Sequence, residues 1–265
     1  MPVFDTPDPV TVDLTLVAGS VQISAGDRTE TAVEVRPRDE AKEADKRAAE
    51  QVEVAYAGGR LEIRDPQPSG LGRVVGRKGM VDITVELPAG SRLQASGDFG
   101  TFRCDGRLGA AGIALSNGNI AVDLITGNAE LSTGYGWIRA GEIGGSATVK
   151  SSGGAITLGT VTGDLKANSA HGDITADRTP ASVTARTTHG SVRLGRVSAG
   201  RIDVGTSYGE LEIGVREGTA AWLDAVSKKG VVRSSLEAAA DPAPTEETVE
   251  VRARSVHGDI TVRRA

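Results

Sequence analysis

The chain has 265 residues, 30 basic and 35 acidic side chains giving a formal net charge of -5, and only 3 % aromatic residues. Charges of both signs are spread along it, which excludes a general nucleic-acid binder with its concentrated basic face. One cysteine, Cys104, excludes an intrachain disulfide and a cysteine-based zinc centre. With so few aromatics, the interior must be thin and built from Ile, Val, Leu and Ala.

The first residues, MPVFDTPDPV, show neither the basic nor the apolar region of an export signal. No stretch approaches the roughly 20 apolar residues of a membrane span. The expectation is a soluble, cytoplasmic protein without membrane insertion, with export by a partner left open.

In chain order, apolar and polar residues alternate over 10–16, 21–24, 32–36, 51–55, 60–64, 81–87 and 92–95, the period of half-buried strands. Between them, 39–50 (DEAKEADKRAAE) favours a helix, with Glu43 four residues before Arg47. Its apolar face is only alanine, so it reads as a shallow cap over a coil end or side, where an open strand would template aggregation. Residues 66–79 form a turn-rich loop. Its glycines, with Arg73, Arg77 and Lys78, superficially resemble a phosphate loop. A strand rather than a helix follows, so a basic loop is the better reading, with anion binding as the alternative.

From residue 98 onward a glycine recurs. Gly100, Gly118, Gly136, Gly154, Gly172 and Gly190 are each 18 residues apart, followed by Gly209, Gly230 and Gly258 at wider spacing. A second series, Gly109, Gly127, Gly145 and Gly163, runs half a period out of phase, and Ala181 and Gly200 continue it. Two and four residues after each first-series glycine stand residues such as Ile120 and Val122, Ile156 and Leu158, Leu211 and Ile213, and, near the end, Val232 and Ser234. Three residues before stand Thr133, Ser151, Ser169, Thr187, Thr206, Ser227 and Ser255, a hydroxyl ladder suited to bonding a turn backbone.

The fold class is therefore all-β: a single parallel β-solenoid, β-helix-like, of about 18-residue coils with two strands per coil, plus one short capping helix. The whole of 1–265 reads as one domain. Residues 1–97 are irregular strands with the helix, and 98–265 are regular repeats and a C-terminal cap. A second loop, 235–247, precedes the last strands.

Units such as SNGNIAV, SAHGDITA, THGSVRL and SVHGDITV, with the early TLVAGSVQISAGDRTETAVEV and VDITVELPAGSRLQASGDFGTF, resemble the bacterial β-strand-repeat "putative adhesin" family of unknown function, the toast-rack-like solenoids. The resemblance covers essentially the whole chain. It implies the fold and no catalytic motif.

Candidate chemistry is sparse. His171, His189 and His257 each directly precede a first-series glycine, in a column that also holds Phe99, Asn117, Tyr135, Gly153, Tyr208 and Lys229. His171, His189 and Asp173 are the candidate ligands for a transition metal such as zinc. A varied, solvated turn column is the competing reading. Tyr135, His171, His189 and Tyr208 are the candidate partner-binding edge, with Trp137 and Trp222 near it. Cys104 sits in an inward column, as a small hydrophobe would. No catalytic residue and no cofactor site is assigned. The expected function is a non-catalytic scaffold or protein-binding module presenting a repetitive solenoid surface to an unknown protein partner. The expected state is a monomer or weak self-association. The alternatives are a structural protein stacking end to end into filaments, or a carbohydrate-active or metal-dependent enzyme.

Overall fold

The computed structural model describes residues 2–66, 79–236 and 247–265. Arg73, Arg77 and Lys78 lie outside the described residues. The described residues are all-β with one helix, and the chain divides into two compact units, Met1–Tyr135 and Gly136–Ala265.

In the first unit, Thr11–Gly26 pairs in parallel with Arg92–Leu108, and that strand pairs with Ala111–Ile125. Register partners such as Val21↔Phe102 and Phe102↔Ile120 stack into the core columns expected from the glycine period. The two expected strands per coil are fused here. Arg92–Leu108 and Ala111–Ile125 run continuously through the corners at Gly100 and Gly118. The corner bends the chain without interrupting its pairing with the next coil.

The irregular N-terminal strands build one edge of this unit. Thr11–Gly26 carries Arg60–Arg64 and Val81–Pro88 in parallel on its second side. Three antiparallel pairings are added: Val3–Asp5 with Glu30–Pro37, Glu30–Pro37 with Val81–Pro88, and Glu53–Ala57 with Arg60–Arg64.

The helix spans Glu43–Gln51 rather than beginning at residue 39. The Asp39 carboxylate accepts the Ala41 N–H and the Asp39 carbonyl accepts the Lys42 N–H, a local turn that competes with the helix. Nor are alanines its anchor. The buried Asp45 carboxylate accepts the Met80 N–H at 2.9 Å and the Asp39 N–H at 3.2 Å.

The second unit is the regular stack. Ile138, Ile156, Ile174, Val192, Leu211 and Ile260 form one register column, every member fully buried. Ala147, Leu165, Val183, Ile202 and Val251 form the facing column.

The last coils do not stack in chain order. Thr248–His257 pairs with Gly200–Tyr208 on one side and with Ala220–Ser227 on the other. Ile260–Arg264 likewise separates Leu211–Val215 from Val232–Ser234. The Gly258 coil is thus inserted between the Gly209 and Gly230 coils. Val232 and Ser234, expected to face inward, are exposed because the coil that would have covered them sits on their other side.

The corner glycines are packed backbone against backbone. Gly118, Gly190, Gly209 and Gly258 have φ between +146° and +155°, where a side chain is strained. A Cβ on Gly190 would lie 2.3 Å from the Gly172 carbonyl oxygen. Gly190→Ala should cost about 3 kcal/mol or more, from backbone strain and the forced separation of coils. Gly26→Ala, with open space around it and no positive φ, should stay within about 0.5 kcal/mol of wild type. Denaturant melts of the two variants compare them directly.

Cys104 is buried in the column below Phe102, and burial pushes its thiol up to about 12. Native protein at neutral pH should therefore resist a thiol-specific reagent, and full labelling should appear only with global unfolding.

Candidate functional site

Each corner of the second unit is built from four consecutive residues, such as Thr187–Thr188–His189–Gly190. The hydroxyl at the first position, buried at every corner but that of Ser227, donates to the carbonyl of the neighbouring coil's corner glycine. Thr187 Oγ1 donates to Gly172 O at 3.1 Å, and Thr206 Oγ1 to Gly190 O at 2.8 Å. Ser151, Ser169, Ser255 and Ser227 repeat the bond to Gly136, Gly154, Gly209 and Gly258. Thr133 makes it to Gly118 in the first unit. The ladder is structural, and the partner of each hydroxyl is the turn backbone.

The residue before the glycine has its backbone held on both sides. The His189 carbonyl accepts the Gly172 N–H, and the Tyr208 carbonyl accepts the Gly190 N–H, both at 2.9 Å. Its side chain points out. His171, His189, Tyr208 and His257 are register partners, and their rings form one stack. Centroids are 5.0, 5.1 and 4.6 Å apart, with interplanar angles of 2°, 2° and 10°. The coil inversion brings His257 directly onto Tyr208. In chain order Lys229 would have separated them, whereas its N–H instead bonds Val256 O, beyond His257.

Three of the four residues expected at the edge therefore meet, with His257 as a fourth ring that the spacing did not put there. Tyr135 belongs to the first unit, exposed at the end of Ala129–Tyr135 and registered on Asn117. Trp137 is exposed with the Arg139 guanidinium over its ring at 5.7 Å, and Trp222 is exposed on Ala220–Ser227.

The stack does not arrange its imidazoles for chelation. Parallel rings 5.0 Å apart point their in-plane lone pairs side by side. Two nitrogens binding one ion at about 2.1 Å must converge to within about 4 Å. Asp173 does not turn toward the histidines either. Its carboxylate accepts the Ser191 N–H at 2.8 Å, along the coil stack. Asp259 accepts the Val231 N–H and pairs with Arg233, interactions that hold its carboxyl below the usual carboxylate range. Among the described residues no three His, Cys, Asp or Glu side chains gather as a metal site. No helix among them is long and apolar enough to cross a membrane.

Other outward charges pair across coils. Glu212 takes hydrogen bonds from Arg193 and Arg263 on the flanking strands, and its carboxyl is lowered by them. Asp203 pairs with Arg186, and Asp224 with Arg254.

Among solved structures, the chain is similar to a "putative adhesin" from Bacteroides fragilis, at 12 % identity and TM-score 0.45, with 98 % of this chain and 95 % of that chain covered. It is also similar to a "putative lipid binding protein" from Parabacteroides distasonis, at 14 % identity and TM-score 0.41, covering 100 % and 95 %. A "putative adhesin" from the same organism gives 13 % identity and TM-score 0.39, covering 98 % and 95 %. No curated protein sequence matches the chain. A family profile does match, over residues 11–264, and by it the chain belongs to the Toastrack DUF4097 family.

Proposed function

We propose that this protein is a non-catalytic binding module whose contact surface for a protein partner is the ring ladder His171–His189–Tyr208–His257. The observation that carries this reading is where the chain places its aromatic residues. Of its eight Phe, Trp and Tyr side chains, five are exposed: Phe99, Tyr135, Trp137, Tyr208 and Trp222. Large rings dominate binding energetics where they can be desolvated by a partner. Here these five are withheld from the core, which among the described residues is filled mainly by aliphatic side chains, with Phe102 the one ring fully buried in it. The ladder gathers Tyr208 with three imidazoles on a backbone that the corner bonds hold rigid, so little ordering is required on association.

Bait protein carrying His189→Ala with Tyr208→Ala should lose at least tenfold of a partner that the wild type captures from the native host, with an unchanged melting temperature. Equal recovery by the two baits overturns the reading.

A second reading, end-to-end self-association, is favoured by one feature. Ala220–Ser227 and Val232–Ser234 each pair on one side only among the described residues, and Trp222, Val226, Val231 and Val232 are exposed there. Such an edge is a template for another strand. Sedimentation over a range of concentrations should show association that Trp222→Arg weakens; a persistent monomer defeats this reading.

A further inference from the structure

Beside the ring ladder, on the same strands, lies an open groove of about 420 Å³. Its floor is Gly205, which registers between Arg186 on one neighbouring strand and Arg254 on the other. Asn168, Thr188 and Ser207, with the ladder residues Ser169, Thr187 and Thr206, complete its polar lining, and among the described residues no carboxylate side chain lines it. The missing side chain at Gly205 makes the depression. The Arg186 guanidinium lies over it, with Nη1 3.2 Å from where a Cβ on Gly205 would stand.

The two arginines differ in what they have left to offer. Arg254 is committed: Nη1 donates to the Asp224 and Ala253 carbonyls, and Nη2 to the Asp224 carboxylate. Arg186 gives only Nη2, to Asp203 at 2.8 Å. Among the described residues its Nη1 and Nε have no acceptor, nor are the Thr188 and Ser207 hydroxyls bonded. A guanidinium with unused donors, next to free hydroxyls, fits a carboxylate.

We infer that this groove is a subsite for an acidic side chain, Asp or Glu, of an extended peptide segment that also crosses the ring ladder. The inference rests on the ladder being the contact surface and names the chemistry of its partner. A peptide is favoured over a saccharide because the rings cover one another's faces. The apolar face of a sugar ring needs an open aromatic face, and the interior of this stack offers only edges with N and O–H groups. Those edges, like the groove, suit the hydrogen-bonding groups of a polypeptide. The coil insertion also has a part in it, because it sets Arg254, rather than Val226, against Gly205.

The test is fluorescence polarisation with a labelled oligoglutamate, against neutral Gly/Ser and oligolysine controls, at low and at physiological salt. Oligoglutamate alone should bind, more weakly as salt rises. Arg186→Gln should weaken it about tenfold. Gly205→Glu should abolish it by filling the groove with like charge. That variant should fold normally, because the Gly205 backbone has no positive φ, and the inserted Cβ meets the movable end of Arg186 and, at ordinary van der Waals distance, the Arg254 carbonyl oxygen. Unchanged affinity in both variants overturns the inference. Stronger binding of dextran sulfate or of phosphatidylglycerol vesicles than of oligoglutamate overturns the peptide assignment. Tyr208→Ala separates the two readings. If it weakens oligoglutamate while Arg186→Gln does not, the groove fails and the ladder stands. If only Arg186→Gln weakens it, the groove stands and the ladder fails.

Discussion

One carbonyl group per coil carries the constraint on which the second unit depends. Gly172 O accepts the Thr187 hydroxyl and at the same time faces the Cα of Gly190 too closely for any side chain. The same atom therefore demands a hydroxyl at one position of the next coil and a glycine three residues later. Satisfying it brings successive backbones into contact, and contact at the corner sets the register of every strand. The apolar columns follow: once Gly172 and Gly190 are in register, Ile174 must lie on Val192 and Ala176 on Leu194. Hydrophobic burial supplies most of the stabilisation, but it is non-directional, and a column of Ile, Val and Leu would tolerate a slip that a backbone contact would not.

This is why so much of the fold was legible in the residue spacing. Glycine and hydroxyl are required by local geometry, so they recur wherever the geometry recurs, and the alternation between them reports which face is inward. Cys104, Ile156 and Val204 are buried as their columns require. What the spacing could not show is whether a corner interrupts pairing. Gly100 and Gly136 look alike in sequence, yet a continuous strand passes through the first, while strands end at Tyr135 and resume at Ile138 around the second. The helix starts later than the charged stretch predicts for a related reason. Asp39 and Asp45 look interchangeable in a charged stretch, but one closes a turn on Ala41 and the other reaches Met80, a contact 35 residues distant.

The candidate site was half legible. Period alone places His171, His189 and Tyr208 on adjacent coils, because nothing is inserted between them beyond one residue. It does not place His257, since a residue 48 positions after Gly209 has no distinguishing mark that says its coil will dock before the intervening one. The structural reason is visible only in three dimensions. Ile260 and Val262 are strongly apolar and fully buried, whereas Val232 and Ser234 offer a weaker inward pair. The better core segment takes the inner place, and the poorer one is left at the edge.

That competition has a consequence for the surface. The corner motif fixes its first and last residues, a hydroxyl and a glycine, and leaves the residue before the glycine as the position whose side chain the core does not specify. Its backbone is nonetheless pinned by hydrogen bonds to both neighbouring coils. A side chain there is structurally unconstrained in type and constrained in place, which is the condition for a pre-organised contact surface. In chain order a lysine would interrupt the rings after Tyr208. The insertion of the Gly258 coil removes that interruption and simultaneously sets Arg254 against Gly205. One packing choice, driven by the apolar quality of Ile260 and Val262, thus completes both the ladder and the groove beside it.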